Sequence, residues 1–199
     1  MSAGMEVYLV DEATVKAIPG SNDTELLTEL LAREGQGESL SWLDGQLDIE
    51  ERFPGFTHAD ALRDIFAGRV TRPEVAFAYA YAFGHVCSSL GQWVHNCFHR
   101  CSYELLREFD ALFAAHGVGL RFWGGLVRNP PVPLPPASEC PYVGHWVRAE
   151  VRKSAPAFRA MRAAGPHGEL WFEEMLDEVG SWIGKVEARP GSMLVAVWC

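Results

Sequence analysis

The sequence predicts an α-rich α+β domain in which a small sheet includes both terminal strands and is packed by several amphipathic helices. Alternating apolar residues in MEVYLVD (residues 5–11) and the apolar run SMLVAVW (residues 192–198) are typical of strands. Between them, apolar residues recur mostly at helical spacing. With 199 residues, 48% of them hydrophobic, the chain can bury a substantial core without a metal or a disulfide. We therefore expect a single domain over residues 1–199.

The first third of the chain contains four predicted helices, each preceded by a capping residue or ended by glycine or proline. Asp11 is expected to cap the first, Ser21 or Asn22 the second, and Thr57 the fourth. The four helices cover residues 12–18, 22–34, 39–53 and 58–67.

The middle of the chain contains its longest weakly charged stretch, which begins at residue 75. The aromatic residues at its start alternate as in a strand, but the residues between them are mainly alanine, which favours helix. The stretch is also too long for a typical strand. We predict a buried central helix that ends at Gly91, followed by a helix over residues 103–117 that Ser102 caps.

The last third alternates extended segments and helices. Residues 118–125, VGLRFWGG, are predicted as a strand, and a proline-rich stretch over residues 125–141 as a surface excursion. A helix interrupted by Pro156 and a long helix over residues 169–188 then precede the closing strand.

The net charge of −9 is concentrated at the start of the chain. Residues 1–51 carry 12 acidic and two basic residues, whereas the remaining residues carry a net charge of +1. A nucleic-acid partner is not expected, because phosphate binding needs a clustered basic surface. The acids of residues 11–51 predict instead a basic protein partner, and the alternative is that they only keep a helical surface soluble.

Several observations predict a cytoplasmic bacterial protein without a membrane segment. The chain does not start with a basic region followed by an apolar run, so we expect no secretory signal. The five cysteines lack the spacing of a disulfide framework and indicate reduced thiols. Only three of the 17 basic residues are lysines, which is typical of a GC-rich bacterial genome.

Residues 95–101 are unusually rich in metal-binding residue types, namely His95, Cys97, His99 and Cys101. In a strand all four would share one face, but the first and last would lie roughly 20 Å apart. In a helix the two histidines and the two cysteines would point in nearly opposite directions. One tetrahedral zinc ion cannot collect them in either case. We therefore predict no metal and no other cofactor.

The same segment has the residues of a reactive thiol. Cys97 and Cys101 precede the helix that Ser102 caps, and a helix N-terminus with nearby positive charge lowers a thiol pKa. His99 and Arg100 would supply that charge. Cys97, His99 and Cys101 are therefore the candidate catalytic residues. The alternative is that these cysteines are core residues, since free cysteine is commonly buried.

Aromatic and basic residues elsewhere could line a binding cleft, although an aromatic core explains the same residues. Motifs of nucleotide-binding proteins, serine hydrolases and zinc proteases are absent from the sequence. The candidate binding residues are Trp93, His95, Arg100, Arg121, Trp123, Tyr142 and His145.

Four segments together resemble the YfbM-like bacterial family and its actinobacterial relatives. They are MEVYLVD, LDIEERFPGFTHADALRDIFAG, YVGHWVRAEVRKSAPAF and EVGSWIGKVEARPGSMLVAVW. The resemblance implies a compact α/β fold and transfers no catalytic residue. The cysteines and histidines of residues 95–101 depart from the family pattern.

Two functions follow from these observations. The first is a small binding or accessory protein, for example of the immunity type, that recognises a partner protein or a small ligand. The second is a small enzyme of specialised metabolism that uses a pocket around residues 95–101. The absent catalytic motifs and the acidic first quarter favour the first.

Overall fold

The computed structural model describes residues 4–33, 40–46, 49–98 and 101–199. Four strands form one antiparallel sheet in the order β2-β1-β4-β3. The strands are β1 (Met5–Asp11), β2 (Gln92–Trp93), β3 (Tyr142–Val147) and β4 (Ser192–Trp198). The predicted fold class is confirmed, since the sheet includes both terminal strands, which pair from Met5↔Trp198 to Asp11↔Ser192.

Helices cover both faces of this sheet. In the described part of the chain they are α1 (Glu12–Ala17), α2 (Thr24–Ala32), α3 (Leu40–Gln46), α4 (Ile49–Arg52), α5 (His58–Phe66), α6 (Ala76–Leu90), α7 (Tyr103–Ala115), α8 (Arg148–Ala163) and α9 (Leu170–Ala188). A 3₁₀ turn at Pro73–Val75 leads into α6, and a π-type turn occupies Phe122–Leu126.

The sheet separates two hydrophobic cores. Val7 and Leu9 of β1 pack into the core formed with α7, α8 and α9, whereas Tyr8 and Val10 pack into the core formed with α1 to α6. This division follows from the period-two alternation of a strand that is covered on both faces. The centre of the second core is α6, as the sequence predicts for its alanine-rich helix.

Local capping predictions are confirmed at several helices. The side chain of Asp11 accepts from the backbone N–H of Thr14, and Thr57 and Asp60 form a reciprocal capping box. Ser102 accepts from Leu105 N–H at 3.2 Å. Helix α6 ends at Gly91, where an added Cβ would lie 2.6 Å from Cγ1 of Val10. The three side-chain caps act over three residues, so the sequence alone specifies them, whereas the contact of Gly91 with Val10 depends on the fold.

The predicted strand over residues 118–125 is wrong. The carboxylate of Asp110 in α7 accepts from the backbone N–H groups of Phe122 at 2.6 Å and Trp123 at 3.0 Å. A carboxylate side chain therefore accepts from backbone N–H groups that, in a strand, would donate to a neighbouring strand. The third strand of the chain is β3 instead, at the edge of the sheet. Gly144 permits its close approach to the turn, because a Cβ there would lie 2.3 Å from the carbonyl oxygen of Gly125.

Two helix predictions also change. Asp23, rather than Ser21 or Asn22, caps α2, and its side chain accepts from Leu26 N–H at 3.0 Å. Of the predicted helix over residues 39–53, the structure describes α3 and α4 as helical, and residues 39, 47 and 48 lie outside the described residues. Pro156 does not interrupt α8, since Phe158 and Met161 beyond it remain in the same core as Val151. No helix in the described ranges is long and apolar enough to span a membrane.

Candidate functional site

Aromatic side chains from two strands, one helix and one turn meet at one end of the sheet. The register places Met5 and Tyr142 on either side of Trp198. The Tyr142 ring stacks on the Trp198 ring with centroids 5.6 Å apart, and Trp123 packs edge-on against both rings at 6.0 and 5.9 Å. Tyr103 at the start of α7 contacts Trp123 at 4.6 Å. We call Tyr103, Trp123, Tyr142 and Trp198 the aromatic cluster.

Hydrogen bonds fix the members of the aromatic cluster. The indole Nε1 of Trp198 donates to the carbonyl oxygen of Cys101 at 2.9 Å, and the Tyr142 hydroxyl donates to the carbonyl oxygen of Ser138 at 3.1 Å. Trp123 is positioned through its backbone by Asp110, whose pKa burial raises. Tyr103 is the most exposed member, with 38% of its surface accessible. The cluster therefore presents a fixed, partly exposed aromatic surface.

Two arginines stack on this aromatic cluster. The guanidinium carbon of Arg128 lies 5.1 Å from the centroid of the Trp123 ring and 5.0 Å from that of Tyr142. Arg107 lies 5.6 Å above Tyr103. Within the described ranges, no carboxylate forms an ion pair with Arg128. Its N–H donors are therefore held by aromatic contacts while remaining available to an anion.

Arg128 also borders a cavity of about 170 Å³ beside β3. One wall is the proline-rich segment, through Pro130, Pro135, Pro136 and Pro141, and the remaining apolar lining is Ala80, Val127, Leu134, Ala137 and Val143. Apart from Arg128, the only lining side chain with a hydrogen-bonding group in the described part of the chain is Tyr142. A mostly apolar cavity with one cationic group is typical of a small-ligand site.

The proline-rich segment is attached at both ends. Near its start, the carbonyl oxygen of Asn129 is 2.6 Å from Nδ1 of His145. Near its end, Glu139 forms an ion pair with Arg52 of α4 at 3.0 Å. Val132 anchors the middle as part of the core around α6. The segment therefore covers the edge of β3 and closes one side of the cavity.

The predicted binding residues fall into separate places. Trp123 and Tyr142 come together in the aromatic cluster, whereas His145 lies on the opposite face of β3 from Tyr142. Arg121 is exposed, and its carbonyl oxygen accepts from the indole of Trp146 at 2.7 Å. Arg128 was not predicted as a binding residue, because a lone arginine beside prolines has no recognisable local pattern.

Trp93 and His95 form a second, smaller surface at the other edge of the sheet. Their rings lie 5.7 Å apart, and Nδ1 of His95 is 3.1 Å from a carboxylate oxygen of Glu178 in α9. The side chain of His95 is 74% exposed. The structure therefore does not bring together the residues of the expected aromatic cleft. Trp93 lies at the opposite edge of the sheet from Tyr142, and Trp146 is buried in the core. The other residues expected in that cleft are Trp123 and His145.

The candidate thiols have pKa values shifted in the opposite direction from the one expected. Cys101 is fully buried, and burial raises its pKa to about 12. Burial, and then the charge of Glu178, also raise the pKa of the half-buried Cys97. His99 and Arg100, which were expected to activate them, lie outside the described residues. The expected lowering by the α7 N-terminus is thus outweighed by desolvation, while a catalytic role for these residues stays a prediction.

Metal-binding residue types do not converge in the described part of the chain. No group of three or more histidine, cysteine, aspartate or glutamate side chains is placed there to hold an ion. The side chain of His95 is exposed, whereas that of Cys101 is buried. The two side chains therefore do not share a common metal-binding centre. The five cysteines form no disulfide.

A buried histidine that the sequence analysis missed lies between α3, α5 and α6. Asp44 Oδ1 accepts from the backbone N–H of His58 at 2.8 Å and lies 2.6 Å from its Nδ1. The ring packs edge-on against Phe77 and Tyr81. Its Nε2 has no hydrogen-bond partner within the described ranges. Burial lowers the pKa of His58, so the ring is neutral, with its proton on Nδ1.

Several acidic residues within residues 11–51 have structural roles. Asp11 and Asp23 cap helices, and Asp44 holds His58. Glu12 forms an ion pair with Lys16 at 2.6 Å, and Glu29 forms one with Arg33 at 2.5 Å. The basic protein partner remains a prediction, and it depends on fewer free carboxylates than the sequence suggested.

The comparisons with known proteins give one family and no functional relative. The model of the family described as "Domain of unknown function (DUF7691)" matches residues 1–199. No curated protein and no solved structure matches the chain. The YfbM-like resemblance stays a prediction, since none of these comparisons links the two families.

Proposed function

We propose that this chain, which belongs to the family described as domain of unknown function (DUF7691), is a bacterial cytoplasmic binding or accessory protein. Its binding site is the aromatic cluster with Arg128 and the adjoining cavity. The ligand carries a carboxylate, which the guanidinium of Arg128 recognises. This proposal keeps the binding function favoured by the sequence and gives it a location.

The observation that carries the proposal is the environment of Arg128. Its guanidinium lies about equally far from two aromatic rings, at 5.1 and 5.0 Å from the centroids of Trp123 and Tyr142. Such stacking reduces the conformational freedom that an arginine loses when it binds an anion. A carboxylate matches the paired N–H donors of a guanidinium in geometry as well as in charge.

The enzyme alternative has less support from the geometry. A nucleophilic cysteine needs an accessible thiolate, whereas Cys101 is fully buried and its pKa is raised. The only buried histidine–carboxylate pair in the described ranges, His58 with Asp44, lies in the other core from Cys101. A binding function requires neither a reactive thiol nor a base.

The test compares matched charged and uncharged probes. Propanoate and propanamide have similar size, and only propanoate carries the charge that Arg128 would bind. In a titration followed by the indole resonance of Trp123, identified with Trp123→Phe, we expect propanoate to shift the resonance and propanamide to leave it unchanged. Arg128→Gln should weaken the propanoate response by about tenfold or more, because a hydrogen bond to a charged group is lost.

Arg107→Gln is the matched control, since Arg107 stacks on the same aromatic cluster but does not line the cavity. It should leave the propanoate affinity within about twofold of wild type, because an exposed charge at a distance is screened by salt. Equal responses to the acid and the amide, or equal losses in the two arginine variants, would contradict a carboxylate site at Arg128.

A further inference from the structure

The residues that line the cavity beside Arg128 indicate the chemical nature of the rest of the ligand. Four prolines and the side chains of Val127, Leu134 and Val143 present carbon atoms to the cavity. Proline rings have no rotatable side chain to lose entropy when a ligand packs against them. The cavity therefore offers a preformed apolar surface next to one cationic group.

The charge of the lining narrows the ligand class further. Arg128 is the single charged residue that lines this cavity in the described part of the chain, and Tyr142 already donates its hydroxyl proton to Ser138. A ligand with several charges or many polar groups would lose hydration without gaining partners. A ligand with one negative charge and an otherwise apolar body loses little hydration there.

We propose that this cavity binds the hydrocarbon part of a small carboxylic acid whose carboxylate pairs with Arg128. This inference rests on the proposed function, because both use Arg128 as the carboxylate receptor. It adds the chemical nature of the remaining part of the ligand and the cavity in which that part lies. A volume of about 170 Å³ has room for a short hydrocarbon chain or a single ring.

Another cavity, which Phe172 of α9 lines, does not fit the same ligand. Its volume is about 320 Å³, but its lining includes Glu108 and Glu169, which would repel a carboxylate. His167 also lines it, with Nε2 at 2.8 Å from the carbonyl oxygen of Met161. Of these two cavities, the one beside Arg128 therefore suits an acid.

The experiment measures the affinity of straight-chain acids from propanoic to octanoic acid, with the amide of each acid alongside. In the wild-type protein we expect the affinity of the acids to increase about fourfold with each methylene group until the cavity is full. Ala137→Leu places a larger side chain in the cavity and should remove this dependence on chain length. The affinity for propanoate should stay the same, because its carboxylate still reaches Arg128.

Leu134→Ala is a second variant with the opposite expectation, since it enlarges the cavity and should extend the increase to longer acids. Ala114→Leu, at an exposed position of α7, is the control and should leave the series unchanged. Thermal unfolding of each variant establishes that it is folded before its affinities are compared.

The outcomes separate this inference from the proposed function. If acids bind through Arg128 with an affinity that does not depend on chain length, the carboxylate site stands and the hydrocarbon site is overturned. If chain length matters equally for acids and amides, the cavity binds hydrocarbon without Arg128, and the acid proposed here is overturned. Unchanged length dependence in both Ala137→Leu and Leu134→Ala would place the hydrocarbon elsewhere and overturn the inference as well.

Discussion

Arg128 and His58 are both nitrogen bases that lie among aromatic rings, but they differ in exposure and in charge. Arg128 is exposed and rests on Trp123 and Tyr142, whereas His58 is fully buried between α3, α5 and α6. Burial lowers the pKa of His58, so that it is neutral. The comparison shows that an aromatic environment stabilises a cation only while water or an anion can still reach it.

The two regions also differ in how a carboxylate is used. Asp44 accepts two hydrogen bonds from His58 and thereby fixes the side chain in its core. Arg128 has no such partner in the described part of the chain, and two rings position it instead. A group that is permanently paired contributes to stability, while a group that is positioned but unpaired can contribute to binding.

The largest effect on stability is expected from Asp44→Ala. This change leaves the backbone N–H and Nδ1–H of His58 without an acceptor in a buried place, which should lower the free energy of unfolding by about 2–4 kcal/mol. Denaturant unfolding monitored by circular dichroism measures the loss. Glu51→Ala, at an exposed acid of α4, is the control and should change the free energy by less than about 0.5 kcal/mol. Similar values for the two variants would show that Asp44 is only a surface charge.

A decrease in pH is expected to have a smaller effect on the free energy of unfolding. Because burial lowers the pKa of His58, the unfolded chain binds a proton at a higher pH than the folded protein does. The stability contributed by the neutral ring is complete above the histidine pKa of the unfolded chain, which is about 6.5, and is lost as the pH falls below that value. For one proton, the free energy of unfolding changes by no more than about 1.4 kcal/mol per pH unit.

The difference between wild type and His58→Asn isolates this contribution, since all other titrating groups are shared. The unfolding free energy of wild type should decrease more steeply than that of His58→Asn between about pH 6.5 and 5. His116→Asn, at an exposed histidine, should retain the slope of wild type. A wild-type slope equal to that of His58→Asn would contradict a buried neutral imidazole.

The smallest effect on stability is expected from Arg128→Gln. Loss of exposed contacts between a cation and aromatic rings should reduce the free energy of unfolding by less than about 1 kcal/mol, while carboxylate binding falls about tenfold or more. Unfolding and titration of the same preparation compare the two quantities. A stability loss as large as that of Asp44→Ala would assign Arg128 a role in folding and remove the contrast between the two regions.

The sequence predicted the parts of this fold that depend on neighbouring residues. Thr57 and Ser102 cap their helices through contacts three residues away, and the alternation of β1 is local as well. The turn at Phe122–Leu126 was mistaken for a strand because Asp110, which satisfies its donors, lies 12 residues earlier. Strand β3 was missed because its identity depends on the pairing of Val143 with Val197 across the sheet.

The candidate site was predictable only in part for the same reason. Trp123 and Tyr142 were named as binding residues because exposed aromatic side chains are common at such sites. Arg128 becomes significant only when the fold brings both rings to its guanidinium. The pairing of Asp44 with His58 joins two helices across 14 residues, and no motif spacing identifies it.

Strand β4 lies between β1 and β3, and its side chains enter both cores. During synthesis on a ribosome, neither face of the sheet can therefore close until residues 192–198 have emerged, although β1 emerges first. The pairing of Met5 with Trp198 raises the contact order of the fold, and contacts between distant residues slow folding. A nascent chain consequently leaves β1 without its β4 partner until residues 192–198 have emerged, and a chaperone that binds short apolar segments would find its target there.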